Sequence, residues 1–258
     1  MKIQTTTVSP KDAIAFWRDK VPMSAKEYAA LEAEAQARAF FVSGLAKGDL
    51  LALFHESLGR AIAEGKSFAA WKKEIGPELE KKGWTGNNPH RLETIFRNNV
   101  QSAHMAGRYR QQMKTVALRP YWQMNALMDQ KTRPNHAALH GVVYPANHEF
   151  WDTYYPPNDH RCRCGVISLS ERQVEKEGIT VETEVHHLRE HPDLGLVNTT
   201  PRNGFNRNVG KDWWHGPRLI ADAKRHPEAY AEAQKHPPPE EARKKTEREE
   251  TDQEEPNG

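Results

Sequence analysis

Cysteine is scarce. Among 258 residues there are two, Cys162 and Cys164, one position apart. A single such pair cannot build a disulfide framework, so a reduced, cytoplasmic history is expected. Long apolar runs are missing as well. No stretch approaches the roughly 20 apolar residues that a membrane helix needs, and Met1 to Pro10 lacks the apolar stretch of a secretory signal, so no membrane partner is expected. Hydrophobic residues make up 37% against 28% charged, a balance that predicts a lean core, much helical surface and some unstructured length. Nor does one sign of charge dominate. The net charge is +2, and the last nineteen residues, from Glu240, carry eight acidic and four basic side chains, leaving the rest of the chain at +6. That bias is too mild to diagnose nucleic-acid binding. No internal repeat stands out at the common periods.

The first 115 residues read as helix. Ser9, Pro10 and Asp12 supply a hydroxyl cap, a proline at the first helical position and a carboxylate suited to the helix dipole. Ala13, Ile14, Phe16 and Trp17 follow as an apolar stripe, and Val21-Pro22 ends the segment. Ser24 to Glu27 has the pattern of a capping box and opens an alanine-rich helical stretch to about Ala46, interrupted at Gly48. Leu51, Leu53, Phe54, Leu58 and Ile62 recur at helical spacing, and Ser67 caps a further amphipathic segment through Trp71 and Ile75. After a loop over 83–88, a long helix is predicted from Pro89 to Met113, with Leu92, Ile95, Phe96, Val100 and Ala103 on its buried side.

The texture changes after Thr115. Val116-Ala117-Leu118, Tyr121 to Met124 and Gly165 to Leu169 read as strands. Pro156-Pro157 marks a rigid loop, and Phe205 to Trp214 an ordered loop pinned by Trp213 and Trp214. The expected fold class is α+β: an N-terminal helical region (1–115), a small mixed α+β domain (116–200), an irregular segment rich in aromatics and Asn (201–223), and a disordered charged tail (224–258).

Between these elements lies a motif that is not generic: Asp129, Thr132-Arg133-Pro134, His136, His140-Gly141, then Phe150-Trp151, then Pro156-Pro157 and His160-Arg161-Cys162-Arg163-Cys164. It resembles the Mu F-like phage head morphogenesis family, whose pattern runs D-x-x-T-R-x-x-H-x-x-x-H/D-G, an aromatic pair, P-P, a histidine and C-R-C before an apolar strand. The resemblance is specific over 91–170 and looser over 1–170. His160 stands closer to Cys162 here than is common in that pattern. The resemblance implies a low-copy head protein, structural rather than enzymatic, made in the host cytoplasm and built into the virion head near the portal. Its partners would be the portal and other head proteins.

Read physically, the motif offers metal ligands. With Thr132 and Pro134 opening a helix, His136 and His140 would share a face, and on a strand Cys162 and Cys164 would too. Together they make a tetrahedral set for one structural zinc, with His160 as a substitute ligand. The same residues also read as hydrogen-bonded histidines and small buried cysteines holding a loop. A third reading is a nucleophile and base, Cys162 with His136 or His160, oriented by Asp129. Arg133, Arg161 and Arg163 could meet DNA phosphates, weakly and without sequence preference, in a packaging accessory, or pair internally with Asp129, Asp152 or Asp159. Arg91, Arg97, Arg108, Arg110 and Lys114 read as a solvated basic edge. Trp122, Phe150, Trp151, Tyr154 and Tyr155 read as core around the proline loop rather than a ligand platform. His186, His187 and His191 are expected at the surface.

Overall fold

The computed structural model describes residues 10–31, 33–45, 48–84 and 89–216; all of them lie in the first of two units, which divide at Arg218. The expected tail, 224–258, is outside the described residues. Helix α1 (Lys11–Arg18) buries Ala13, Phe16 and Trp17. It opens one residue later than expected. Pro10 takes the capping position without a side-chain bond, and its carbonyl accepts from Ile14 N at 2.9 Å.

The capping box forms, with Glu27 N donating to Ser24 Oγ at 3.2 Å and Ser24 N to Glu27 Oε2 at 2.8 Å. The alanine-rich stretch behind it is not one helix. It breaks into α2 (Ala25–Ala29), α3 (Ala33–Gln36) and a short strand, β2 (Ala39–Phe40), which pairs in parallel with β1 (Val21–Pro22). Burial overrides alanine's helix preference, because Ala37, Phe40 and Val42 are drawn into the first apolar cluster. Gly48 does not interrupt a helix. It begins α4 (Gly48–Glu64), which is followed by α5 (Phe68–Lys81), capped by Ser67 Oγ from Ala70 N at 3.2 Å.

Helix α6 (Pro89–Lys114, 26 residues) is the axis of the described chain. Phe96, Ala103 and Ala106 join the first cluster, with Phe54, Leu58, Ile62 and Trp71. Met105 and Tyr109, on another side of α6, join a second cluster with Trp122, Tyr144, Trp151 and Tyr155. Backbone crosses α6 closely at Gly107. A Cβ added there would lie 2.6 Å from Ala13 N. Alanine is favoured over glycine in a helix interior by about 1 kcal/mol, but overpacking a close backbone contact costs about 1–3 kcal/mol. Gly107→Ala should therefore lose up to about 2 kcal/mol of stability in urea unfolding; an unchanged or raised midpoint would show that α1 yields at this crossing.

Beyond α6 the chain makes a three-stranded antiparallel sheet in the order β4 (Val143–Pro145), β3 (Tyr121–Asn125), β5 (Gly165–Leu169). Trp122 lies opposite Tyr144 on one side and Ser168 on the other. Val116 to Leu118 is not a strand. α6 unwinds there through turns, Val116 N reaching Met113 O and Leu118 N reaching Thr115 O, and Leu118 is 77% exposed. The backbone N–H groups of Val116 and Leu118 are satisfied by the preceding turn instead.

The expected core aromatics are all buried: Trp122, Phe150, Trp151, Tyr154 and Tyr155 are at most 2% exposed. Four of them lie on α8 (Phe150–Tyr154) and the segment that leaves it, and α7 (Pro134–Ala137) precedes β4. After β5 come α9 (Glu171–Glu177), capped by Ser170 and Gln173, and a hairpin of β6 (Leu188–His191) and β7 (Gly195–Asn198). The segment 205–214, expected as a loop, ends in a helix, α10 (Val209–His215). Asn208 starts it: its Oδ1 accepts from Gly210 N and Lys211 N, an N-cap hidden among the asparagines. Trp213 does pin it, meeting Phe16 edge-on at 5.5 Å and donating from Nε1 to Asp19 Oδ2 at 2.7 Å. The fold is α+β.

Candidate metal centre

His136 is carried by α7, only four residues long, with Pro134 in its first turn. Cys162 and Cys164 lie on the extended run into β5, and alternation aims both sulfurs the same way. All three side chains are buried, each at 4% exposure. His136 Nδ1 lies 3.7 Å from Cys162 Sγ and 3.3 Å from Cys164 Sγ, and the donor atoms of the three fall within 4.8 Å of one another.

The other two expected ligands are elsewhere. α7 ends at Ala138, so His140 falls beyond it, exposed, where its Nδ1 accepts from Ala126 N at 3.2 Å. An i, i+4 pair shares a face only while the helix lasts, and this helix is too short. His160 is exposed too, its Nδ1 paired with the Asn98 amide at 2.7 Å and its ring against Phe205. Among the described residues the cluster therefore has three protein donors, not four.

The sulfurs sit among donors and cations. Cys162 Sγ accepts Cys164 N–H at 3.4 Å and is also bonded by the backbone of Asn158. The hydrogen bond between the two thiols holds Cys162 low and pushes Cys164 up, burial adding to the rise at Cys164; His136 further favours the Cys162 thiolate. His136 Nε2 and both side-chain ends of Asn158 are buried with no hydrogen-bond partner among the described residues.

The rest of the motif builds the frame. Arg163 forks onto Asp129 with two bonds of 2.6 Å and holds that carboxyl well below the usual carboxylate range. Thr132 Oγ1 bonds Asp129 Oδ1 at 3.2 Å. Arg133 donates to His160 O at 2.9 Å and lies 3.4 Å from Asp159. Gly141 turns at φ +83° and donates to Met124 O, Trp151 Nε1 bonds Pro145 O at 3.0 Å, and Pro156 and Pro157 are buried around a cis peptide. Asp129 is thus engaged by Arg163 rather than placed behind His136. Of the internal acceptors expected for the arginines, Asp129 and Asp159 serve; Asp152 pairs with Lys211 instead, and Arg161 takes Glu93 at 2.5 Å.

Sequence reasoning missed what positions the cysteine segment. Asn98, Gln101, Met105, Arg108 and Gln112 repeat at helical spacing along one side of α6. Asn98 Oδ1 accepts Arg161 N at 2.7 Å, holding that residue at φ +57°. Gln101 donates to Cys164 O, Arg108 to Val166 O and Gln112 to Ser168 Oγ, at 2.7, 2.6 and 2.8 Å. This polar stripe satisfies the outer edge of β5. The supposed basic edge is largely spoken for: Arg108 serves β5, Arg97 pairs with Glu93 at 2.7 Å and Arg110 with Asp12 at 3.0 Å. Of the second histidine group, His186 and His187 are exposed and His191 is half-buried; His187 Nδ1 meets Tyr154 OH at 2.7 Å.

A small sheet braced by one long helix, with a buried His-Cys-Cys cluster where the chain enters β5, makes an α+β module built around the motif. Residues 53–167 match the family described as Phage Mu protein F like protein, and over that segment the chain is similar to this family. It is 38% identical over 188 residues to the "Putative capsid assembly protein F" of Escherichia phage Mu, an alignment covering 67% of this chain and 43% of that protein. It is 39% identical over 161 residues to the "Mu-like prophage FluMu F protein" of Haemophilus influenzae, covering 58% of this chain and 39% of that one. The chain thus aligns with less than half the length of either relative. No solved structure is significantly similar to it.

Proposed function

We propose that this chain is a minor component of phage head assembly, made in the host cytoplasm and incorporated into the head, and that it works by contact with the portal or another head protein rather than by catalysis. The observation that carries this reading is the 38% identity to a protein named for capsid assembly. Among the described residues, no helix is long and apolar enough to cross a membrane. Two features favour contact over chemistry. Cys162 and His136 are each 4% exposed, and the carboxylate that would orient the imidazole in a Cys-His mechanism is committed to Arg163.

The hairpin supplies a contact surface. Leu188 lies opposite Asn198 and Glu190 opposite Leu196, so these four share one face. The other face carries Arg189, which bonds Glu182 and Tyr144 OH and ties the hairpin down. Leu188, Leu194 and Leu196 are 58–63% exposed. Apolar side chains this exposed on a firmly held hairpin suit a protein partner.

Each leucine buried at an interface contributes about 1.5–3 kcal/mol, so Leu188→Ser, Leu194→Ser and Leu196→Ser together should weaken capture by heads about a hundredfold or more with little change in melting temperature. The measurement is co-sedimentation of tagged protein with procapsids from a phage lacking its own copy. Heads that form normally and never carry the wild-type chain would sink the reading. DNA binding that collapses steeply with salt would replace it with a packaging accessory.

A further inference from the structure

The geometry points to a zinc centre made by His136, Cys162 and Cys164, with an oxygen donor completing it, that staples α7 to the segment entering β5. Three observations carry it, and none depends on a role in head assembly. The first is distance. Donors about 2.3 Å (sulfur) and 2.0–2.1 Å (nitrogen) from one tetrahedral ion lie about 3.5 Å apart. The two sulfur–nitrogen distances, 3.3 and 3.7 Å, bracket that value.

The second is charge. Two buried thiolates with a neutral imidazole carry −2, which a divalent ion cancels, so the centre is neutral in a place where uncompensated charge would be costly. Soft sulfur with one imidazole selects zinc over oxygen-seeking magnesium or calcium. The third is unfilled polar valence. Backbone N–H groups of Cys164 and Asn158 already point at Cys162 Sγ, as they would at a metal-bound thiolate, while both ends of the buried Asn158 side chain lack partners among the described residues. An ion with an ordered oxygen ligand supplies what a dry hydrophobic pocket would not.

The burial of all three ligands makes the centre structural. It ties two stretches far apart in sequence, 26 residues from His136 to Cys162, at the point where the proline loop returns to the sheet.

The test uses the full chain purified under reducing conditions without chelator. Elemental analysis should find about one zinc per chain, and exchange into cobalt(II) should give the thiolate-to-cobalt charge-transfer bands and intense visible bands of a tetrahedral sulfur site. Cys164→Ser and His136→Ala should lose the metal, whereas His140→Ala and His160→Ala should keep it at full stoichiometry. Strong chelator should lower the melting temperature of wild type. Should the ligand variants fail to fold, the cobalt spectrum of wild type and the metal content of His140→Ala still decide. A folded, reduced wild type that holds no zinc and takes up no cobalt overturns the proposal and leaves a thiol–imidazole hydrogen-bond network. Metal retained in Cys164→Ser, or lost in His140→Ala, overturns the ligand set.

Discussion

Trp122→Ala should cost about 3–5 kcal/mol and loosen the cysteine segment with it. Trp122 is fully buried in the central strand, and its ring meets Tyr109 of α6, Trp151 of α8 and Tyr155 edge-on at 5.6–5.8 Å. Tyr155 in turn donates to Gln112 of α6 at 2.6 Å and leads directly into Pro156-Pro157. Removing the indole thus opens a cavity where sheet, helix and loop all meet, and the loop delivers the two cysteines. Trp122→Phe should cost far less, because the indole N–H has no partner among the described residues and its loss removes a desolvated donor. Urea unfolding of both variants, with thiol labelling of Cys162 and Cys164 in the folded state, checks the point. Equal losses for the two substitutions would mean that ring size, not the cavity at this junction, sets the effect.

The second large effect is a loss of stability in mild acid. The His55 imidazole is packed against Trp17 and Phe40, with ring centroids 5.2 and 5.4 Å away. Burial, reinforced by the nearby Lys20 charge, lowers its pKa from 6.5 to about 4. A histidine depressed in the folded state binds its proton first in the unfolded chain. Its contribution is therefore complete above pH 6.5 and is lost as pH falls toward 4, by about 3 kcal/mol. Unfolding free energies of wild type and His55→Gln, measured between pH 7 and 4, should diverge by that amount, with wild type the steeper. Parallel profiles would place the acid sensitivity elsewhere.

Local chemistry was legible where it acts over one turn or one strand. The Ser24 and Ser67 caps, the apolar stripes of α4, α5 and α6, and the alternation that aims both cysteines to one side each depend only on neighbours in the chain. The aromatic core was legible for a similar reason: rings of that size in a small mixed domain have nowhere else to go. Longer-range competition was not. The alanines after Ser24 favour helix, yet Phe40 and Val42 pull the segment into the core and break it. The polar stripe Asn98, Gln101, Arg108, Gln112 looks solvated in isolation, and only the arrival of β5 turns it into a bracing surface. Asn208 reads as one of several loop asparagines until its neighbours adopt a helix that it caps.

The His/Cys cluster divides along the same line. By itself the sequence determined that two sulfurs share a face and that histidines of the motif lie within reach, because alternation along an extended strand and the membership of the family motif are written in adjacent residues. Which imidazole meets the sulfurs was decided by tertiary structure alone. α7 stops after four residues, so His140 turns outward, and Asn98 on α6 takes His160 away. The pairing of β5 with β3 then brings Cys162 and Cys164 to His136 across more than two dozen residues of chain. Such a meeting depends on where a helix ends and which edge a helix covers, and both are settled by packing among distant segments rather than by any local pattern.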